Sequence, residues 1–226
     1  SHELRTPMSS IRAFSEILRG VEVLSPQEQV RYASIIQEET IRLTRLLDDL
    51  LDLSVLENGQ VSLNLSTGSL SDLMDHSVAM ARVGRDAAAM QIHRNSADER
   101  IWLYTDLDRL NQVFLNLIVN AHKYCDAAEP KLQIIVRQSA QQLTIDFIDN
   151  GPGISYENQN LIFEKFSRIG GHKSGGAGLG LAISREILQR LQGDVIYLPG
   201  QNGAAFRIRL PESVIGGAAR ADMSST

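Results

Sequence analysis

The side chains that could do chemistry gather in five short stretches. The first is SHELRTP, where His2 stands beside Glu3. A His-Glu pair can open the zinc motif H-E-x-x-H, but that motif needs a second histidine one turn on, and Thr6 occupies the place. The second, NLIVNAHKY, sets Asn116 and Asn120 four residues apart on one helix face, with Lys123 and Tyr124 within about a turn. Amide oxygens suit a hard cation such as Mg²⁺, which keeps several waters and binds phosphates, and Lys123 can neutralise phosphate charge. Taken alone, this stretch reads equally well as a polar helix face. The third, DNGPGI, puts Asp149 at the end of an apolar strand, ahead of Gly151 and Gly153, which allow a tight turn and close backbone approach to a ligand. A carboxylate there can accept a hydrogen bond from a buried amine; a plain Asn-Gly turn explains the same residues in isolation. The fourth, FEKFSRI, carries Phe163, Phe166 and Arg168 and by itself reads as an apolar anchor at a helix end. The fifth, GGAGLGLA, places Gly176, Gly178 and Gly180 before a helix, so that backbone N–H groups and the helix N-terminus can receive phosphate oxygens. A flexible surface loop is the alternative. Neither common glycine motif fits: a Walker loop needs glycine at His172, and G-x-G-x-x-G counted from Gly178 needs it at Ile183.

The order of the stretches says more than any one of them. N-x-x-x-N-A-x-K, D-x-G-x-G, F-x-x-F and G-x-G-x-G-L resemble the N, G1, F and G2 boxes of the GHKL (Bergerat-fold) ATP-binding domain. SHELRTP resembles the H box of sensor histidine kinases. The resemblance covers about residues 1–211. It implies that His2 takes the γ-phosphoryl group of ATP, with Glu3 beside it as proton acceptor. It implies Asn120 as the Mg²⁺ ligand, Asn116 and Lys123 as phosphate contacts, and Tyr124 packing on adenine. Asp149 resembles the acceptor for adenine N6, and Gly151 and Gly153 its turn. Gly176, Gly178 and Gly180 resemble the phosphate-cradling turn. Arg168 resembles a γ-phosphate contact at the edge of an ATP lid over about 167–178. Pro7 resembles the bend in the family's first helix, and the spacing from Glu3 to Thr6 resembles the E-x-x-T motif of kinases that also dephosphorylate their partner.

These groups need elements to hold them. Leu4, Met8, Ile11 and Leu18 recur at helical spacing over residues 1–20. Ser25, Pro26 and Glu28 form a helix-start signal, and a long helix should run from there to about Glu57. Its seam of Ile36, Leu43, Leu47 and Leu50, thickened by Leu46, Leu51 and Leu53, is wide enough to pair two hairpins as a four-helix bundle; packing on the rest of the same chain is the alternative. After ENGQ, Val61, Leu63 and Leu65 alternate like a half-buried strand. A helix from Ser69 to about Ala89 follows, then strands at QIHR and IWLY. A helix capped by Thr105 or Asp106 runs to Cys125, strands cover LQIIVRQ and LTIDFID, a helix covers 179–191, and DVIYL and AAFRIRL close the sheet. The expected architecture is α + α/β: a helical hairpin forming a dimeric bundle, then a GHKL α/β sandwich with a mixed sheet. Its expected divisions are a dimerisation and phosphotransfer hairpin at 1–57, linker and first strand at 58–68, an ATP-binding domain at 69–211, and a disordered tail at 212–226.

The bulk composition narrows the partners. The chain has 226 residues, a hydrophobic fraction of 43%, a charged fraction of 22% and a net charge of -5, which gives it no general attraction for nucleic acid or anionic lipid. One cysteine, Cys125, fits a reducing compartment. No apolar run approaches the roughly 18 residues of a membrane span. A chain opening at Ser1 inside a motif is expected to be a fragment, a cytoplasmic domain whose attachment to the inner membrane, if any, lies in an absent upstream segment. The expected partners are a second copy and the receiver domain of a response regulator. Two other readings are a GHKL hydrolase, which carries glutamate where Asn116 stands, and an inactive dimeric scaffold.

Overall fold

The computed structural model describes residues 2–20, 24–58, 62–82, 90–95, 97–167 and 177–216, and of His2 the backbone alone. Two helices, α1 (His2–Gly20) and α2 (Pro26–Glu57), form a hairpin. Its second helix starts as its sequence dictates. Ser25 Oγ accepts the Glu28 N–H at 3.2 Å and Glu28 Oε2 accepts the Ser25 N–H at 3.0 Å, so two orphan donors are satisfied reciprocally. Phe14 stacks on Tyr32 at 5.4 Å between ring centres, tying the two helices together.

The rest is a mixed sheet covered by helices. The elements are β1 (Ser66–Ser69), α3 (Leu70–Arg82), β2 (Gln91–Arg94), β3 (Trp102–Thr105), α4 (Leu107–Tyr124), β4 (Lys131–Gln138), β5 (Gln142–Asp149), α5 (Gly180–Arg190), β6 (Asp194–Tyr197) and β7 (Ala205–Pro211). The main sheet has the order β2-β4-β5-β7-β6, parallel between β2 and β4 and antiparallel elsewhere; β1 and β3 pair separately. Alternate residues of the central strands, among them Leu132, Ile134, Leu143, Ile145 and Ile208, are buried with Leu110, Phe114, Leu117, Ile187 and Leu188 of the helices. Phe114 and Phe147 meet at 5.7 Å. Each such fully buried side chain contributes about 1.5–3 kcal/mol. On the opposite face Asp146 is 1% exposed, held by Arg207 Nε and Nη2 at 2.6 and 2.7 Å and by Arg137 Nη1 at 2.6 Å. Burial alone raises its carboxyl, but the two guanidinium groups outweigh it and hold the group below its ordinary range.

Three expectations change, and one runs beyond the described residues. Over the described residues 62–65 the alternating segment is not a strand, and β1 begins one residue later. Leu63 packs on the core and the Asn64 N–H is taken by Asp106 Oδ2 at 2.9 Å, so a side chain rather than a ladder holds this stretch. The helix expected to reach Ala89 is described to Arg82, and residues 83–89 lie outside the description. Residues 212–216, expected in the tail, continue the fold: Val214 is buried and the Gly216 N–H reaches the Trp102 carbonyl at 2.9 Å. The apolar Val214 and Ile215 find the open edge of β3; residues 217–226 lie outside the description.

The last change concerns the seam of α2. Leu46, Leu53 and Leu56 are buried in the chain's own core, whereas Leu47 and Leu51 are 46% and 65% exposed. Polar contacts fix this docking. Arg109 Nη1 reaches both Asp52 oxygens at 3.0 Å, Gln112 Nε2 reaches Asp52 Oδ2 at 2.8 Å, and Lys165 pairs with Glu57. Arg190 donates to the Leu56 carbonyl at 2.5 Å, placing a cation at the C-terminus of α2.

Candidate active site

Asp106 caps α4, accepting the Arg109 N–H at 3.0 Å, and so sets the turn on which Asn116, Asn120, Lys123 and Tyr124 follow. Asn116 is fixed from the far side: its Nδ2 donates to Ser184 Oγ of α5 at 2.8 Å. A Cβ at Gly180 would stand 2.3 Å from Asn116 Oδ1, so only glycine lets α5 begin this close to α4. The Asn120 side chain makes no hydrogen bond among the described residues and lines two adjoining cavities.

The first cavity, of about 400 Å³, is largely apolar. Leu117, Ala121, Leu132, Phe147, Ile154 and Phe206 wall it, and Asp149 and Gly153 face it. Behind the wall, Phe206 packs edge-on against Phe163 at 6.3 Å and Tyr197 at 5.8 Å. The Tyr197 hydroxyl accepts the Ile154 N–H at 3.2 Å, steadying the loop after Gly153. Asp149 is 8% exposed at the end of β5. Its Oδ1 accepts the N–H groups of Gly151 and Ala204, both at 2.9 Å, and its Oδ2 has no partner among the described residues. Burial pushes the carboxyl above the ordinary carboxylate value, with the two N–H bonds pulling back. The result is a rigid acceptor facing a largely apolar cavity.

The second cavity, of about 430 Å³, is the more polar of the two. Asn116, Asn120, Lys123, Ser167, Gly178 and Gly180 line it, and so does Glu3 from the start of α1. Lys123 Nζ donates to the Tyr124 hydroxyl at 2.9 Å, and Tyr124 lines both cavities. The first turn of α5 opens into this space, and Leu179 at its N-cap offers no side-chain acceptor, so its orphan N–H groups can bind an anion. Gly178 has φ +69, and a Cβ on it would lie 2.6 Å from the Ser167 carbonyl. The Phe166 N–H donates to the Gly178 carbonyl at 3.0 Å, with Phe166 itself at φ 63. The two ends of the expected lid are thus pinned together at 166–167 and 178. Arg168 and Gly176, expected in the site, lie outside the described residues, as does the side chain of His2.

A divalent cation fits this donor set in a limited way. Among the described residues no group of three His, Cys, Asp or Glu side chains could hold a metal. The Asn120 amide oxygen is the available hard ligand, so Mg²⁺ would have to complete its shell with water and phosphate oxygens. Thr6 lies one turn after Glu3 on α1. Sequence reasoning missed Ser184, Tyr197, Ala204 and Phe206. Ser184 and Phe206 sit at ordinary core periodicity, and nothing in their types marks them. The glycines before Ala204 are a turn signal only.

Among the described residues no helix is long and apolar enough to cross a membrane. Residues 105–214 match the family described as histidine kinase-, DNA gyrase B- and HSP90-like ATPase, and residues 1–59 match the His Kinase A (phospho-acceptor) domain. The sensor protein kinase WalK of Staphylococcus haemolyticus is 35% identical over 95% of this chain, which spans 36% of that protein's length. Among solved structures, the Acinetobacter baumannii histidine kinase AdeS superposes with a TM-score of 0.72 at 26% identity, covering 93% of this chain and 98% of that one. Full-length ShkA in complex with AMPPNP has the same fold, with a TM-score of 0.70 at 22% identity over 93% of this chain and 44% of its own.

Proposed function

The chain belongs to the histidine kinases, carrying both parts of their catalytic core, and on that premise we propose that it phosphorylates His2 from Mg-ATP and passes the phosphoryl group to an aspartate of a response regulator. The observation that carries the reading is the shared cavity. Glu3, next to His2, lines the same space as Asn120, Lys123 and Gly178. A nucleotide with its base against Asp149 would extend its phosphates into that space, toward the start of α1.

The residues then divide the work. The Asp149 carboxylate accepts the adenine amine. The N-terminus of α5, Gly178 and Lys123 neutralise the phosphate chain. Asn120 would hold Mg²⁺, which when bound offsets charge on the β- and γ-oxygens. A nitrogen of the His2 imidazole attacks phosphorus, the bond to the β–γ bridging oxygen breaks, ADP leaves, and the imidazole proton passes to Glu3. Little covalent help is needed, since phosphoryl transfer depends mainly on positioning and charge neutralisation. Asn116 argues against a hydrolase. Its amide cannot act as a base toward water, and its nitrogen is already committed to Ser184.

We place the chain in the cytoplasm as a homodimer, joined through the exposed apolar residues of α2. Incubation with labelled Mg-ATP tests the kinase reading. The product should be acid-labile and base-stable, and His2→Ala should lose the label while still binding nucleotide. Label that persists on His2→Ala would put the phosphate elsewhere. Thr6, one turn from Glu3, is assigned to orienting water toward the regulator's aspartyl phosphate. Thr6→Ala should keep autophosphorylation and slow release of phosphate from the regulator; equal release rates would remove that role.

A further inference from the structure

One wall of the polar cavity comes from neither the nucleotide-binding strands nor α1. It comes from α2, whose Glu38, Arg42, Arg45 and Asp49 face Asn116, Asn120 and Lys123 across the space. These positions recur every three or four residues and so form one stripe. The same stripe runs on to Asp52 and Leu56, which are docked: Asp52 against Arg109 and Gln112, Leu56 in the core at 1% exposure. The docking fixes the register of the helix. Two turns back from Asp52, that register brings Arg45 to the edge of the phosphate end.

The two arginines in the wall differ. Arg42 pairs with Glu39 at 3.6 Å. Arg45 has no ion pair and no hydrogen bond among the described residues, although Asp49 stands one turn on. Burial first, then Asp52 and Asp48, push the Asp49 carboxyl upward, and no ion pair joins it to Arg45 among the described residues. Guanidinium presents several donors in a fixed plane that matches phosphate oxygens. An unpartnered arginine at the mouth of an anion site is therefore a cation waiting for a ligand.

We propose that Arg45 contacts the oxygens of the transferring phosphoryl group, so that the hairpin carrying the acceptor histidine also supplies a cation to the chemistry done on it. The inference rests on the kinase reading above. Arg45 takes no proton. It donates hydrogen bonds to the equatorial oxygens as the bond to ADP lengthens and the nitrogen–phosphorus bond forms. It does so only while α2 is docked, because the Asp52 contacts hold its register. Transfer is thereby confined to the docked arrangement, and ATP bound to an undocked domain lacks one of its cations.

The test uses the full chain with Arg45→Ala, Arg45→Lys and, as a charge control from the same wall, Arg42→Ala. Single-turnover labelling of His2 is measured at saturating Mg-ATP, and ADP affinity by calorimetry. Arg45→Ala should slow labelling about 100-fold, short of the 10³–10⁵ range of an arginine finger because Lys123 remains. ADP affinity should stay within about threefold, since ADP lacks the group that Arg45 touches. Arg45→Lys should recover part of the rate, and Arg42→Ala should lose less than Arg45→Ala. The melting temperature should not fall, because Arg45 is exposed on a helix where alanine is the better helix former. A labelling rate for Arg45→Ala within about threefold of wild type overturns the proposal. So does an equal loss in both alanine variants, which indicates a general field, or a loss shared by ADP affinity, which indicates a binding role. Wild-type chain that fails to label His2 at all refutes the kinase reading first, and this inference falls with it.

Discussion

Replacing Asp149 by asparagine separates its two tasks. In the structure Oδ1 accepts from Gly151 and Ala204, both at 2.9 Å, and Oδ2 has no partner among the described residues. Asparagine can keep the first task, with its own Oδ1 in place. It fails the second, because an NH₂ group now stands where the base amine must donate. Loss of a hydrogen bond to a charged acceptor costs about 1.5–3 kcal/mol, so ATP affinity should fall roughly ten- to a hundredfold. The new donor suits a base with a carbonyl at that position, so the affinity ratio of ITP to ATP should rise. Fold stability should move the other way. Burial raises this carboxyl above its unfolded value, so the fold loses stability as pH rises from the ordinary carboxylate range through the folded value. The neutral amide avoids that loss, and the melting temperature at neutral pH should be equal or higher. Calorimetry with ATP and ITP, together with thermal melts, checks all three outcomes. On acidification the wild-type advantage in ATP binding should fade above the ordinary carboxylate range, while the variant shows no such step. ATP affinity within twofold of wild type, or an unchanged ITP-to-ATP ratio, would refute the assignment.

Asp52→Ala should release the docked end of α2, costing about 1–3 kcal/mol for the lost charge-assisted bonds; faster hydrogen exchange in the last turns of α2 and α5 reads the change, and unchanged exchange contradicts it. Asp146→Ala removes the charge-assisted bonds from Arg137 and Arg207, which are exposed enough to regain water, and should destabilise the fold by about 1–3 kcal/mol in urea. Because the folded carboxyl is held low, its contribution is present above the ordinary aspartate range and lost as pH falls through the folded value, and Asp146→Asn should flatten that acid limb. Leu47→Glu places charge in the exposed apolar face of α2 and should leave monomers where wild type sediments as a dimer at about tens of micromolar; a wild-type monomer under those conditions contradicts the dimer.

The legible parts of this molecule are those fixed by local chemistry. Ser25, Pro26 and Glu28 announce the start of α2, and the structure builds that capping box bond for bond. Asp149 and the glycines after it read as a carboxylate at a strand end before a tight turn, and the structure places the buried carboxylate there, bonded to the Gly151 N–H. What the sequence hides is set by distant strands. Ala204, 55 residues on from Asp149, supplies the second N–H to its carboxylate, and an alanine carries no mark of that duty. Ser184 orients Asn116 across 68 residues by the same kind of accident. The strand read at 61–65 is absent over the described residues 62–65 for a related reason: alternation shows which side chains want burial, but the ladder depends on where β3 lies.

The apolar pattern of α2 misleads in an informative way. Read as a single seam, its leucines point to one partner. In the structure they divide between nearly opposite sides of the helix, at about 100° per residue: Leu46, Leu53 and Leu56 turn toward the nucleotide-binding domain, while Leu47, Leu51 and Val55 remain in solvent. A helix with apolar arcs on two sides can serve two interfaces at once. Rotating it to bury one arc more deeply would move the other, and would also carry Arg45 and Asp49 relative to Asn120. A signal that turns or bends α2 at its far end therefore has a direct mechanical route to the phosphate cavity. The route runs through the rigid helix and the contacts of Asp52 with Arg109 and Gln112, with no need for a longer relay through the sheet.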